Sequence, residues 1–247
     1  LAATLFPFGG VVGIFLQRYH MPQMVLRKLR SRLMNNINRK STANNNKIQL
    51  EVRTFEHAYS PKIYYTEEDG QYTKHTLDVG LSEIALILID VWSSHPNKGW
   101  MQRAQQNIRC RLLPLVEGLR QHKVPIVHCP HDQPINQLVK PLPQELLVDG
   151  PKEVGRLIES LQGWGTRYLL YAGYASNMCI LNRPVGIQAM SKLGYDIIFV
   201  RDASLALEAP QFLSEETAHS VATNMIETDW GMSTEVHQVL SALEHIK

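Results

Sequence analysis

Residues 84–92 read Ile-Ala-Leu-Ile-Leu-Ile-Asp-Val-Trp (IALILIDVW), the most strongly apolar run of the α/β region and the best guide to its fold class. Six apolar residues in a row precede Asp90, as is typical of a parallel strand covered on both faces. Strand and helix patterns then alternate to the end of the chain, which favours a parallel sheet with helices on both faces. The sequence therefore predicts a three-layer, Rossmann-like α/β fold.

The hydrophobic patterns downstream of this strand predict the remaining elements of the α/β domain. They are a helix over 101–121, a strand over 124–129, a short strand over 135–140, a helix over 152–165, a strand over 167–174, a helix over 177–194, a strand over 195–203, and helices over 214–227 and 233–246.

Two β-rich runs precede this domain. Residues 48–55 (IQLEVRTF) alternate apolar and polar side chains, as a half-buried strand does. Residues 62–77 carry Asp69-Gly70 between two runs of β-forming residues, which predicts a hairpin. We expect residues 47–80 to form accessory strands ahead of the main sheet, within a globular domain over 47–247.

Residues 1–46 differ in composition from this domain. The first 16 residues carry no charge, residues 22–40 form a basic amphipathic pattern, and residues 41–46 (STANNN) resemble a linker. Residues 1–50 hold eight basic and no acidic side chains, whereas the rest of the chain holds 17 basic and 23 acidic ones. The basic excess belongs to the arm, which lacks interleaved aromatic residues, so we predict no nucleic-acid partner.

The arm predicts a membrane contact through residues 1–40. The uncharged run falls a little short of the roughly 20 residues that span a bilayer. The basic segment after it would stay on the cytoplasmic side and attract anionic lipid headgroups. Alternatively, residues 1–16 dock on the globular domain or on a partner subunit.

Three residues with reactive or charged side chains stand where predicted strands end: Asp90, Lys140 and Cys179. Ligand sites in open parallel sheets form at the carboxyl ends of the strands. A helix N-terminus and a neighbouring lysine would both favour the thiolate of Cys179, and an aspartate can relay the thiol proton to a leaving amine. With Cys110 and Cys129 the cysteines number three, without a CxxC pair, so we predict free thiols in a reducing, cytoplasmic compartment.

The segment from Ile84 to about Leu243 resembles the isochorismatase-like cysteine hydrolases. IALILIDVWSS is similar to the family's opening strand with its aspartate, and GYDIIFVRDA to a later strand. GYASNMC is similar to the turn into the nucleophile, usually G-x-x-T-x-x-C, with Ser176 at the threonine position.

The resemblance implies a catalytic triad of Asp90, Lys140 and Cys179. The family's lysine precedes its cysteine by about forty residues, and the separation of 39 here selects Lys140 over Lys152. The resemblance also implies an oxyanion hole from the backbone amides of Ala175 and Cys179. A cis peptide between Tyr174 and Ala175 often accompanies it.

The metal-binding relatives carry an Asp-x-His pair and a later histidine after their second strand. Here that stretch reads His131-Asp132-Gln133-Pro134, with proline where the first histidine should stand. We therefore predict no metal and no other cofactor, which makes nicotinamide an unfavourable substrate.

Several residues are candidates for the substrate pocket, and each has an alternative structural role. Trp92 and Trp100 either shape the pocket or serve in packing. Arg183 either faces a substrate carboxylate or is exposed, and Pro184 after it should kink the helix. The remaining pocket candidates are His128, His131, Tyr174 and Ser176.

The sequence thus predicts a metal-independent amidohydrolase that cleaves a small amide, carbamoyl or ureido compound through a thioester. Hydrolysis of an isochorismate-type vinyl ether fits less well, because it needs no nucleophilic cysteine. The alternative is a non-catalytic scaffold or binding protein, which the unusual loop after Asp90 and the Arg183-Pro184 pair would suit. The resemblance further implies a small-molecule substrate and a homo-oligomer.

Overall fold

The computed structural model describes residues 46–56 and 67–246 of the chain. Within them, one eight-stranded sheet has the strand order β2-β1-β8-β7-β6-β3-β4-β5. The strands are β1 (Lys47–Glu56), β2 (Gln71–Gly80), β3 (Ile84–Ile89), β4 (Ile126–Cys129), β5 (Leu146–Leu147), β6 (Tyr168–Tyr174), β7 (Asp196–Leu205) and β8 (Gly231–Thr234).

The six strands from β3 to β8 run parallel to one another. Strand β1 pairs antiparallel with both β8 and β2. Helices cover both faces of the sheet. They are α1 (Lys98–Asn107), α2 (Leu113–Gln121), α3 (Val154–Trp164), α4 (Cys179–Asn182), α5 (Ile187–Lys192), α6 (Thr217–Met225) and α7 (Val236–Glu244). The predicted three-layer α/β fold is therefore confirmed.

Strand β3 shows why its sequence lacks polar alternation. Ile84, Leu86 and Leu88 belong to one hydrophobic core, and the intervening residues of the strand belong to a second core on the other face. Helices α1, α2 and α7 cover the first core, and helices α3 to α6 cover the second. Because both faces are buried, every position of β3 has to be apolar.

The accessory strands extend the main sheet. Strands β1 and β2 pair along their whole length, from Lys47 opposite Gly80 to Glu56 opposite Gln71. Strand β1 also pairs with β8 through Arg53 and Ser233. Of the hairpin predicted over residues 62–77, residues 62–66 lie outside the described residues and Glu67–Asp69 form a 3-10 turn. The described partner of β2 is β1.

The short strand predicted over residues 135–140 is wrong. Ile135 makes an isolated bridge to Trp92, and residues Gln137–Val139 form a 3-10 turn. The side chain of Asn136 accepts a hydrogen bond from the amide of Leu138 and so stabilises the turn. The strand at this edge of the sheet is instead β5, farther along the chain.

Two predicted helices also differ from the structure. The helix expected over 233–246 begins at Val236, because Ser233 and Thr234 belong to the unpredicted strand β8. The helix expected over 177–194 is split into α4 and α5. Arg183 is extended (φ −64°, ψ 155°), as favoured for a residue before proline, and the helix ends there.

No helix among the described residues is long and apolar enough to cross a membrane. The predicted membrane contact and the basic arm, residues 1–40, lie outside the described residues.

Candidate active site

The candidate site lies at the carboxyl ends of β3 and β6, which are neighbours in the sheet. Ile89 of β3 pairs with Gly173 of β6, so Asp90 and Tyr174, the next residue of each chain segment, lie side by side. Gly173 has φ +113°, and a Cβ atom there would lie 2.1 Å from the carbonyl oxygen of Ile89. A residue with a side chain would therefore separate the two strands at the site.

The chain between β6 and Cys179 forms a tight turn. The peptide between Tyr174 and Ala175 is cis, as the sequence resemblance predicted. The carbonyl of Ala175 accepts hydrogen bonds from the amides of Met178 and Ile180, both at 3.1 Å. This turn places Cys179 at the first position of α4, half-buried.

Asp90 and Arg183 form a buried ion pair. The guanidinium of Arg183 donates to Oδ2 of Asp90 from Nε at 3.0 Å and from Nη2 at 2.5 Å. The side chain of Arg183 is 14% exposed and that of Asp90 is 2% exposed. Arg183 follows the single turn of α4, so its side chain can reach back to the strand end that Cys179 also faces. Sequence reasoning considered Arg183 for substrate binding and missed this pairing with Asp90.

Lys140 is not part of this cluster, contrary to the predicted triad. Lys140 is exposed to solvent and directly follows the 3-10 turn Gln137–Val139. Within the described part of the chain, its side chain makes no hydrogen bond or ion pair. Its backbone carbonyl accepts a hydrogen bond from Arg120, whose guanidinium also pairs with Glu145. Lys140 misses the cluster because the strand expected to carry it is a turn.

The carboxylate of Asp90 and the thiol of Cys179 affect each other. Burial raises the pKa of Asp90, against the opposing effects of Arg183 and the Cys179 thiol. Burial and the neighbouring Asp90 raise the pKa of Cys179, against Arg183 and a hydrogen bond from the Ala175 amide. The pKa of Cys179 is therefore raised, and the cation that opposes this shift is Arg183, where the sequence predicts Lys140.

One oxygen of the Asp90 carboxylate remains available. Oδ1 is buried and has no well-formed hydrogen bond to any residue that the structure describes, whereas Oδ2 is taken by Arg183. A buried acceptor without a partner is costly and rare. Oδ1 is thus available to accept the proton of the neighbouring Cys179 thiol.

A cavity of about 150 Å³ opens beside Cys179. Four of its nine lining residues carry aromatic rings, and the full set is Asp90, Trp92, His95, Trp100, Tyr174, Ala175, Met178, Cys179 and Leu207. The predicted pocket residues Trp92, Trp100 and Tyr174 are among them. Sequence reasoning missed His95, although its place in the loop leaving the end of β3 was a usable signal.

The other predicted pocket residues do not line this cavity. His131 and Arg183 face a separate crevice of about 10 Å³. Ser176 is fully buried, and its hydroxyl hydrogen-bonds with Nδ1 of His219 at 2.9 Å. His128 is also buried and bonds to Glu145. These side chains support the loops around the site.

The described residues contain no group of three or more His, Cys, Asp or Glu side chains that could hold a metal ion. His131, in the stretch where the metal-binding relatives have ligands, instead lines the small crevice beside Arg183. Independence from metal stays a prediction.

Solved structures of isochorismatase-family proteins share this fold. A cysteine hydrolase from Pseudomonas syringae pv. phaseolicola is 15% identical, with a TM-score of 0.55, and the match covers 67% of this chain and 94% of that one. An isochorismatase family protein from Burkholderia thailandensis is 16% identical, with a TM-score of 0.52, over 66% of this chain and 96% of its own.

The YcaC gene product of Escherichia coli, an octameric hydrolase of unknown specificity, is 15% identical, with a TM-score of 0.51, over 67% of this chain and 81% of its own. No protein-family model and no curated protein sequence matches the chain. The structure matches nevertheless establish that the chain has the isochorismatase-like fold, as the sequence resemblance predicted.

Proposed function

We propose that the protein is a cysteine hydrolase that cleaves the C–N bond of a small, uncharged amide, carbamoyl or ureido compound. The observation that carries the proposal is the contact of the Cys179 thiol with a buried Asp90 whose Oδ1 is free to accept a proton. A thiol and a base within reach of each other are the parts that nucleophilic catalysis requires.

The reaction proceeds in two halves. The sulfur of Cys179 attacks the carbonyl carbon while its proton passes to Asp90, which then protonates the departing amine as the C–N bond breaks. The acyl group is left on sulfur as a thioester. Water then attacks the thioester, Asp90 takes a proton from it, and the C–S bond breaks; the proton returns to Cys179 as the acid leaves.

Arg183 takes the role that the resemblance assigned to Lys140. Its guanidinium orients the Asp90 carboxylate through Oδ2 and provides the positive charge that opposes the raised pKa of the thiol. Arg183 is a positioning residue, since it lines the small crevice and not the substrate cavity.

The oxyanion would be stabilised by the backbone amides of Ala175 and Cys179. The Ala175 amide already points at the sulfur. Among the described backbone hydrogen bonds, the amides on either side of Cys179 both donate to Ala175, and the Cys179 amide has no such acceptor. Each donor of this kind is typically worth about 2.7–4 kcal/mol in the transition state.

The direct test measures ammonia release from a panel of small amides, carbamoyl compounds and ureas. Hydrolysis should be accompanied by a mass increase on the peptide that contains Cys179 when the reaction is quenched early, because the acyl group resides on sulfur. Absence of ammonia release over the whole panel would favour the second candidate below.

The second candidate function is a non-catalytic binding protein with the same fold. The observation in its favour is the raised pKa of Cys179, because the thiolate is the stronger nucleophile. Such a protein would bind the panel compounds without releasing ammonia.

We infer that the protein also assembles as a homo-oligomer. Support for this is limited to the shared fold with the octameric E. coli hydrolase. Sedimentation velocity on the full chain is the corresponding measurement.

The pH dependence of kcat/KM should show an acid limb set by Asp90. The carboxylate has to be unprotonated to take the thiol proton, so activity falls as the pH drops through its pKa. Because that pKa is raised above the usual value of 3.8, the loss should occur at a higher pH than for an ordinary aspartate. An acid limb at or below the usual value would contradict the role of Asp90.

Turnover should survive removal of metal ions. Prolonged dialysis against EDTA and 1,10-phenanthroline should leave kcat unchanged, because the mechanism uses the thiol, the carboxylate and backbone amides. Activity that is lost to chelator and restored by zinc or iron would overturn this prediction.

A further inference from the structure

We propose that His95 is the specificity residue of the cavity, and that its Nε2–H group donates a hydrogen bond to the edge of a flat, uncharged substrate group. The group is about the size of one aromatic ring and carries an acceptor atom. This inference rests on the proposed function for the location of the substrate, and it adds the chemical class that the cavity selects.

A backbone contact fixes the tautomer of His95. The amide of Asn97 lies 3.1 Å from Nδ1 of the His95 ring. An amide N–H donates and cannot accept, so Nδ1 has to be the acceptor. The neutral ring therefore carries its proton on Nε2, and that nitrogen is a hydrogen-bond donor.

Two aromatic side chains hold the imidazole in place. The ring of His95 stacks on Trp92, with centroids 5.9 Å apart and an interplanar angle of 11°. It also contacts Trp100 at 4.8 Å and 56°. His95 is half-buried in this arrangement, so its donor is directed by packing as well as by the loop.

The polar groups of the other aromatic residues are already engaged. The indole N–H of Trp92 donates to the carbonyl of Pro130 at 2.6 Å, and that of Trp100 to the carbonyl of Ala206 at 3.2 Å. The hydroxyl of Tyr174 donates to Oδ1 of Asn107 at 2.9 Å.

Few polar groups therefore remain for a substrate. Among the residues that line the cavity, they are Asp90, Cys179, the Ala175 amide and His95. The first three act on the reacting carbonyl in the proposed mechanism. His95 is left to recognise the rest of the molecule.

Charge and size define the class further. Asp90 is the charged member of the cavity lining. Its partner Arg183 is engaged by it and faces the separate crevice, so the described lining of the cavity offers no cation to a substrate carboxylate. The cavity volume of about 150 Å³ equals that of an engineered apolar cavity that binds benzene. A flat neutral ring satisfies both the lack of a cation in the described lining and the cavity's volume.

The test is isothermal titration calorimetry on the full chain with Cys179→Ala, which prevents turnover. The ligands are thiophene-2-carboxamide, thiazole-2-carboxamide and thiazole-5-carboxamide; each thiazole replaces one ring C–H of thiophene by a nitrogen acceptor. At least one thiazole should bind about three- to tenfold more tightly than thiophene-2-carboxamide, as expected for one hydrogen bond.

When His95→Phe is combined with Cys179→Ala, the preference for thiazole should disappear, because phenylalanine keeps the aromatic contact without the donor. Added His95→Gln, which restores a donor, should recover it even if overall affinity falls. The matched control is His237→Phe, whose side chain is 68% exposed; it should keep the wild-type preference.

The inference is overturned if the thiazole preference persists in His95→Phe, if none of the three amides binds, or if thiophene-2-carboxylate binds as tightly as the amide. Failure of the proposed function has a separate signature. In that case ammonia release is absent in the wild-type protein while the binding preference and its loss in His95→Phe are still measured.

Discussion

Replacement of Cys179 by alanine should abolish hydrolysis of every amide that the wild-type protein cleaves. The thioester forms on this sulfur, and removal of a nucleophile that acts together with its base typically lowers kcat by a factor on the order of 10⁴ or more. The measurement is ammonia release under saturating substrate, with far-UV circular dichroism to verify that the variant is folded.

Cys110 and Cys129 supply the matched controls. Cys110 is exposed, in the π-helical segment Ile108–Leu112 between α1 and α2, so Cys110→Ala should retain wild-type turnover. Cys129 is buried, and burial raises the pKa of its thiol far above the usual range; Cys129→Ser should therefore remain active if it folds. Residual turnover in Cys179→Ala close to the wild-type rate, or its loss in Cys110→Ala, would refute the assignment.

Replacement of Arg183 by alanine should have the second-largest effect, on both stability and activity. It leaves the buried carboxylate of Asp90 without its ion-pair partner. Loss of one partner of a buried pair typically costs about 3–5 kcal/mol. Urea unfolding should show a decrease of this order. Turnover by the remaining folded protein should fall by about 100-fold, as is typical when a catalytic group is displaced by about 1 Å.

The pH profile separates a positioning role from a purely structural one. Arg183 lowers the pKa of Asp90 against the larger effect of burial. Without the guanidinium, that pKa should rise further, and the acid limb of kcat/KM should move to higher pH. Arg183→Lys, which keeps a positive charge, should recover part of both the activity and the wild-type pH profile.

Lys140→Ala tests whether Lys140 or Arg183 is the cation that acts with Asp90. Lys140 is exposed and lacks a side-chain partner in the described part of the chain, so the variant should keep wild-type stability and turnover within about twofold, as is usual for exposed positions. If Lys140→Ala loses activity as severely as Arg183→Ala, then the sequence-based triad is right and the role of Arg183 in positioning Asp90 is wrong.

Local patterns in the sequence determined most of the fold. The apolar run of β3 predicted a strand buried on both faces, and its residues do alternate between the two cores. The run of β6 and the turn after it predicted the position of Cys179; the cis peptide before Ala175 was implied by the family resemblance of this turn. These features are encoded in consecutive residues, so periodicity and a short motif suffice to identify them.

Short elements were predicted less well. Strand β8 spans Gly231–Thr234, which is too short for a period to be recognised, and it exists because β7 and β1 provide hydrogen-bonding partners on its two sides. Residues 135–140 show the opposite case, since a run with strand-like composition folds into a 3-10 turn where no partner pairs with it fully.

The α/β architecture, Asp90 at the end of β3 and Cys179 at the start of α4 could all be predicted from the sequence. The cation that pairs with Asp90 became apparent only in the folded chain. Asp90 and Arg183 are 93 residues apart in the chain and meet because the register of β3 and β6 places the two strand ends together. Spacing along the chain pointed to Lys140. An ion pair with a buried carboxylate, however, requires closeness in space, and the end of α4 brings Arg183 within hydrogen-bonding distance of Asp90.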